Sequence, residues 1–347
     1  MPTPLARSAL VLLLALVASL TGCTAADSRP TIALLLPESK TTRYEAIDRP
    51  AFEERLDELG DYRLLYSNAD QDPAKQQAQA EAALASGAAV LVLDPVDAEA
   101  SRSIVAAAEA QGVPVIAYDR LPAGGGIEYY VSFDNEGIGV LQGTAFASAV
   151  GSTPGDSGVL MVNGSPTDPN SQGFERGALQ EIEAAGLTVL ASFDTPDWSP
   201  DQAQDWVAGQ VTLFGSRIVG VYAANDGTAG GAIAALKAAN VSPMPVVSGQ
   251  DAELAGLQRI VSGDQYLTIY KAIRVQAQLA ADAAVELAEG RPVEADTTVD
   301  GVPATILPAE VVTLDTILTS VVEDGVFTID QICTADYAAD CAEAGLL

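Results

Sequence analysis

Short apolar runs of strand length recur along the chain, each followed by a longer Ala-rich stretch. The runs are IALLLP (32–37), VLVLDP (90–95), PVIAYD (114–119), YYVSFD (129–134), GVLMVN (158–163), TVLASFD (188–194), IVGVYAAND (218–226) and PVVSGQD (245–251). Continuous apolar runs bounded by Asp, Pro, Asn or Gly fit parallel strands buried on both faces. Helices are expected over 46–59, 74–86, 98–111, 171–185, 199–214, 229–239 and 273–289. Gly60, Gly87, Gly112, Gly186 and Gly290 are their stops, and Asp97, Ser199 and Thr228 their caps. Strand–helix–strand repetition implies right-handed crossovers and a doubly wound α/β sheet. With about nine or ten such units, one open sheet is too small. No low-complexity linker divides the chain, which suits two lobes joined by several crossing strands; an eight-fold barrel stays open.

Charge narrows the function. There are 47 Asp+Glu against 17 Lys+Arg and no His, a formal net charge of −30. Such a surface repels phosphate backbones and anionic lipid, so no nucleic-acid partner is expected. Without His there is no imidazole base and no Ser-His-Asp triad. Three Cys cannot build a Cys-cluster zinc site. Neither a metal nor a cofactor is expected. With 48% hydrophobic residues, the chain can bury a large core.

Residues 1–23 read as a secretion signal. Arg7 precedes an apolar stretch from Ala9 to Leu20, and Leu20-Thr21-Gly22-Cys23 resembles a bacterial lipoprotein box. On that reading Cys23 carries lipid, 24–30 is a tether, and the protein sits outside the cytoplasm on a membrane. An ordinary signal peptide or a single membrane anchor are the alternatives. Cys333 and Cys341 then remain, and an oxidising compartment favours a disulfide between them.

The carboxyl ends of the strands, where open α/β sheets bind ligands, carry a consistent residue set. It comprises Arg43 and Tyr44, Asp119 and Arg120, Asn163, Asp168 and Asn170, Asp197 and Trp198, Asn225 and Asp226, Gln250 and Asp251, and Tyr270 and Lys271. Arg and Lys only donate, ionised Asp only accepts, and Asn does both. Paired charges with flat aromatics suit a neutral polyhydroxylated ligand. An anion would call for excess positive charge or Gly-rich helix N-termini. Taken singly, the Asp residues could be helix caps and the cations solvated surface charges; their repetition at strand ends makes the set notable. Asn68-Ala-Asp70-Gln-Asp72 opens like a calcium loop but lacks the Gly and Glu that complete one. Gly124-Gly125-Gly126 has no following Lys-Ser/Thr and is a turn, not a phosphate loop.

Several blocks resemble the xylose-binding branch of the ribose- and galactose-binding type of periplasmic sugar receptor. They are AYDRLPAGGGIEYYVSFDNEGIGVLQG (117–143), NGSPTDPN (163–170), ANDGTAGGAIAAL (224–236), SGQDAELAGLQRI (248–260), LTIYKAI (267–273) and ADTTVDGVPATIL (295–307). The resemblance spans about Thr31 to Gly325. It implies a type I periplasmic binding protein fold, with two doubly wound parallel-sheet lobes joined by a three-segment hinge. The lobes would be 31–134 plus 269–303 and 135–268 plus 304–330, with 331–347 a tail outside the pattern. It implies a non-enzymatic, monomeric receptor that captures a monosaccharide, D-xylose first, and delivers it to an ABC permease. Arg43, Asp119, Arg120, Asp168, Asn170, Asn225, Asp251 and Lys271 would be polar contacts, and Tyr44 and Trp198 the stacking rings. The family pattern has Trp where Tyr44 stands, a change that bears on which sugar is preferred. Glucose, arabinose, ribose or galactose are alternatives, as is a chemosensory role. A glycosidase is a distant alternative, because Arg120 and Lys271 oppose the raised carboxyl that an acid catalyst needs. A regulator's effector domain would need an N-terminal DNA-binding helix pair where this chain has a signal.

Overall fold

The structure, a computed structural model, describes residues 29–152 and 155–347. The expected signal segment, Cys23 and most of the tether lie outside the described residues. Among them no helix is long and apolar enough to cross a membrane.

Strands β1 (Thr31–Leu36), β2 (Arg63–Asn68), β3 (Ala88–Leu93), β4 (Val115–Tyr118) and β5 (Tyr129–Phe133) lie in one sheet in the order 5-4-3-1-2. Each neighbouring pair in it is parallel. Helices α1 (Arg49–Leu59), α2 (Pro73–Ala85) and α3 (Arg102–Glu109) make the crossovers. Alternation of side chains along a strand loads both faces. Ile32, Leu34 and Leu36 pack with Phe52 and Leu56 of α1, while Ala33 and Leu35 pack with Ala80 and Leu84 of α2. Asp72 caps α2 by accepting from Ala74 and Lys75 N–H, ahead of Pro73 in the first turn.

The second sheet repeats this plan with β6 (Gly158–Asn163), β7 (Val189–Asp194), β8 (Ile218–Ala223) and β9 (Val246–Val247), in the order 7-6-8-9 and all parallel. Around it lie α4 (Asn135–Val150), α5 (Pro169–Ala184), α6 (Pro200–Phe214), α7 (Asp226–Ala238) and α8 (Leu254–Val261). Ser199 caps α6 as expected. The cap of α7 is Asn225, with Thr228 completing the reciprocal capping box rather than starting the helix. The five expected glycine stops all have positive φ.

Three segments cross between the sheets. The chain passes from β5 into α4 at Asp134. It returns through β10 (Thr268–Lys271) into α9 (Ile273–Ala288), which packs on the first sheet. It crosses again from β12 (Val302–Leu307) to β13 (Ala309–Val312), which pairs antiparallel with β10. β11 (Thr297–Val299) and β12 extend the first sheet beyond β5. Residues 304–307, expected in the second lobe, therefore belong to the first. The reason is main-chain pairing: Ala304 to Leu307 run in register with Tyr130 to Phe133.

After β13 the tail folds back on the second lobe. Ile317, Val321, Ile332 and Cys341 are buried with Leu257 and Ile260 of α8, and a disulfide joins Cys333 to Cys341.

Candidate ligand-binding site

All ten expected site residues line one small cavity between the two lobes, about 20 Å³ in volume in this closed conformation. None is more than 5% exposed, so none meets bulk solvent in this conformation. Thr41, Phe174 and Gln250 complete the wall. Sequence reading named Gln250 at its strand end but left all three out of the contact set. Phe174 looks like core, and Gln250 stands beside Asp251 but is uncharged.

The first lobe supplies a charged floor. Arg43 follows β1 and is fixed by four hydrogen bonds. Nε and Nη2 donate to Asp48 at 3.0 and 2.7 Å, Nη2 also to Gln276 Oε1 at 2.9 Å, and Nη1 to Asp119 Oδ1 at 3.3 Å. Gln276 Nε2 donates to the same Asp119 oxygen at 3.2 Å. Burial alone would raise the Asp119 carboxyl, but Arg43, Lys271 and Arg120 outweigh it and hold it at about 2. Asp119 is therefore a fixed acceptor. Arg120 Nη2 donates to the Tyr44 hydroxyl at 3.1 Å and Nη1 to Pro95 O at 3.2 Å. The two guanidiniums lie 5.2 and 5.9 Å from the Tyr44 ring centre.

The second lobe supplies the opposite wall. Asp168 caps α5 through Asn170 N–H at 2.8 Å and accepts from Trp198 Nε1 at 3.0 Å. A Cβ on Gly164 would stand 2.0 Å from the Trp198 ring, so the glycine lets the indole lie flat against the backbone. Asn225 Oδ1 caps α7, and its Nδ2 makes no hydrogen bond among the described residues. Lys271, in β10, sits 2.8 Å from Asp251 Oδ1 and 5.4 and 5.6 Å from the Phe133 and Phe174 rings. Asp119, Asp197, Trp198, Asp251 and Ala252 all have positive φ, a strained conformation for non-glycine residues that concentrates at this cavity.

Several polar atoms remain open. Arg120 Nε lies 2.8 Å from Asp168 Oδ2 and Lys271 pairs closely with Asp251, yet the directions are too oblique for hydrogen bonds. Arg120 Nε, Gln250 Oε1 and Asp251 Oδ1 are thus buried without a directed partner. The set offers donors and acceptors in alternation beside aromatic faces. Asn170 lines the cavity and also joins its two sides. Its Nδ2 donates to Asp119 O at 3.1 Å and its Oδ1 accepts from Asn135, so its side chain bridges the lobes. The carboxyls also diverge. Arg120 pushes Asp168 down as expected, but burial outweighs it and the carboxyl is raised. Each Asp168 oxygen accepts from one protein donor, which fixes the carboxyl and leaves a second lone pair on each oxygen.

The lobes meet around the cavity. Thr167 Oγ1 donates to Val96 O at 3.1 Å, Ala98 N–H to Thr167 O at 3.3 Å, and Thr42 N–H to Glu253 Oε1 at 2.9 Å. With these contacts made the conformation is closed, and ligand exchange requires the lobes to part.

The chain's relatives share this architecture. The D-xylose-binding periplasmic protein of Escherichia coli K12 is 33% identical over 314 residues, covering 88% of this chain and 93% of that protein. A transporter solute binding protein of Chloroflexus aurantiacus, solved with D-glucose, superposes with a TM-score of 0.78 at 27% identity over 86% of this chain and 97% of that one. One from Clostridium phytofermentans, solved with β-D-glucose, gives 0.80 at 24% identity, covering 87% and 99%. The model of the periplasmic binding protein domain matches residues 32–292. With its two parallel sheets, three crossing segments and interlobe cavity, the chain belongs to the periplasmic binding protein family and has the type I fold.

Proposed function

We propose that this protein is the sugar-capturing receptor of an ABC importer, with a monosaccharide, D-xylose foremost, held in the interlobe cavity and handed to a permease. The observation that carries the reading is the enclosed wall of buried, charge-balanced side chains with Tyr44, Trp198 and Phe174 among them. A sugar hydroxyl donates one hydrogen bond and accepts others, so it can be saturated between ionised Asp119 and Arg43, or between Asp251 and Lys271. The apolar C–H face of a pyranose suits an indole or phenol ring. The ten side chains proposed as contacts are Arg43, Tyr44, Asp119, Arg120, Asp168, Asn170, Trp198, Asn225, Asp251 and Lys271, and no bond is made or broken. The 33% identical xylose-binding relative favours xylose; Tyr44, whose hydroxyl is engaged by Arg120, is the position at which preference would shift. Lipid on Cys23 would keep the receptor at the membrane outside the cytoplasm, working as a monomer.

A thermal-shift panel on the mature chain from Thr24 tests this with xylose, glucose, arabinose, ribose and galactose. A ligand at 100 times its Kd adds about 2.7 kcal/mol, enough to move the Tm by several degrees. The expected result is the largest shift with xylose. A larger shift with another of these sugars would move the specificity and keep the receptor role. No shift with any of the five would reject that role.

A further inference from the structure

Glu253 lies outside the proposed contact set, at the N-terminus of α8, and is 5% exposed. Its Oε1 accepts the Thr42 N–H at 2.9 Å, a contact from the second lobe to the loop after β1 in the first. The surroundings disfavour a charge there. Asp226 of α7 and Asp251 of the neighbouring loop are the carboxylates that act on it. The cations that act on those two acids are engaged away from Glu253. Lys271 of β10 pairs with Asp251, and Arg259 of α8 donates to Asp226 O and Gln265. From the first lobe, Glu38 accepts Lys40 and Thr41 N–H groups within its own loop, and Lys40 Nζ faces Asp197 at 3.8 Å. No cation is thus paired with Glu253 among the described residues.

We propose that Glu253 is a proton-dependent closure latch: as a neutral acid it bridges the lobes through the Thr42 N–H, so that closing the cleft on a ligand takes up a proton. In the closed form, burial first, then Asp226 and Asp251, lift the carboxyl to about 8, outweighing the Thr42 hydrogen bonds, which act to lower it. When the lobes part, the Thr42 contact breaks and the carboxyl meets water, where a Glu titrates near ~4.3. The closed form then binds protons more tightly than the open form, and closure weakens as pH rises between those values. Because closure completes the binding site, ligand affinity follows. This rests on the receptor reading above.

The test is calorimetric titration of D-xylose from pH 5.5 to 9 in buffers of differing ionisation enthalpy. The wild-type affinity is expected to fall by up to about tenfold per pH unit towards pH 8 and then level, with net uptake approaching one proton near pH 6. Glu253→Gln keeps the acceptor oxygen and cannot ionise. Its affinity should be flat across this range and exceed that of the wild type at pH 8.5. Glu253→Ala removes the acceptor and should bind more weakly than Glu253→Gln at every pH. A wild-type affinity that ignores pH, or an unchanged slope in Glu253→Gln, would overturn the latch. If no sugar binds, the receptor reading fails separately. Small-angle scattering of the ligand-free protein then decides for the latch: a radius of gyration that grows with pH in the wild type but not in Glu253→Gln supports it, and a pH-invariant radius rejects it.

Discussion

Arg120 ties both walls of the cavity together, with Tyr44 and Pro95 on its own lobe and Asp168 across the cleft. Truncating it leaves Asp168 and the already unpartnered Asp94 buried without their cation. Removing one member of a buried charged set costs about 2–5 kcal/mol. Arg120→Ala should therefore lower sugar affinity by at least about thirtyfold, to below detection in calorimetry, while circular dichroism shows a folded protein. Asp251→Ala should do the same through Lys271, whose ammonium would lose its partner. Normal affinity in either variant would remove that residue from the site. At this scale the sequence was informative because charge is legible: Arg, Asp and Lys at strand ends have few bland roles once buried. Phe174 and Thr41 were hidden because neutral or apolar side chains look alike in a wall and in a core. The Thr42–Glu253 contact joins residues 211 positions apart through a main-chain N–H, which no residue type announces.

Elements were legible where burial is complete. The runs at 32–37, 90–95 and 114–119 became β1, β3 and β4 because parallel strands with helices on both faces need apolar residues at every position. β2, RLLYSN, escaped notice because it is an edge strand with every residue half-buried and no clear period. α4 escaped because its face towards α5 is made of glycine: Gly139, Gly143 and, from α5, Gly177 bring the two backbones together. A Cβ on Gly177 would stand 2.2 Å from Glu136 O, a main-chain atom that cannot step aside. Gly177→Ala should thus destabilise by about 1–3 kcal/mol through overpacking, and shift α5, which carries Asp168 and Phe174 to the cavity. Gly209→Ala in α6 meets nothing within 4 Å, so there the gain in helix propensity should stabilise by about 0.5–1 kcal/mol. Chemical denaturation of the pair checks both. The argument fails if Gly177→Ala unfolds no more easily than Gly209→Ala.

For the molecule as a whole, acidic surplus and buried carboxyls act in the same direction on pH. Asp226 sits inside the second lobe, accepting from Glu253 N–H, Gln265 Nε2 and Thr268 Oγ1. Burial, aided by Asp251, raises it to about 7 in spite of Arg259 and those donors. Its unfolded value is near ~3.9. Between these values the folded chain binds more protons than the unfolded chain, so stability grows as pH falls and is lost as pH rises through 7. Protonation also relieves the self-repulsion of a chain carrying −30. Asp119 works oppositely. Held at about 2 when folded, it stabilises above its unfolded value and that contribution is lost as pH falls towards 2. Together these place the stability maximum on the acid side, near pH ~4–5, with a decline of a few kcal/mol by pH 8. Scanning calorimetry from pH 3 to 9 should show the Tm peaking there. Salt separates the two causes, because it screens surface repulsion far more than a buried acid. At 0.5 M salt the slope between pH 5 and 7 should persist in the wild type and be reduced in Asp226→Asn, whose side chain does not titrate, with Glu253 supplying what remains. A Tm that peaks above pH 7, or a salt-resistant slope that survives the substitution undiminished, would mean that Asp226 does not contribute to the pH dependence of this fold.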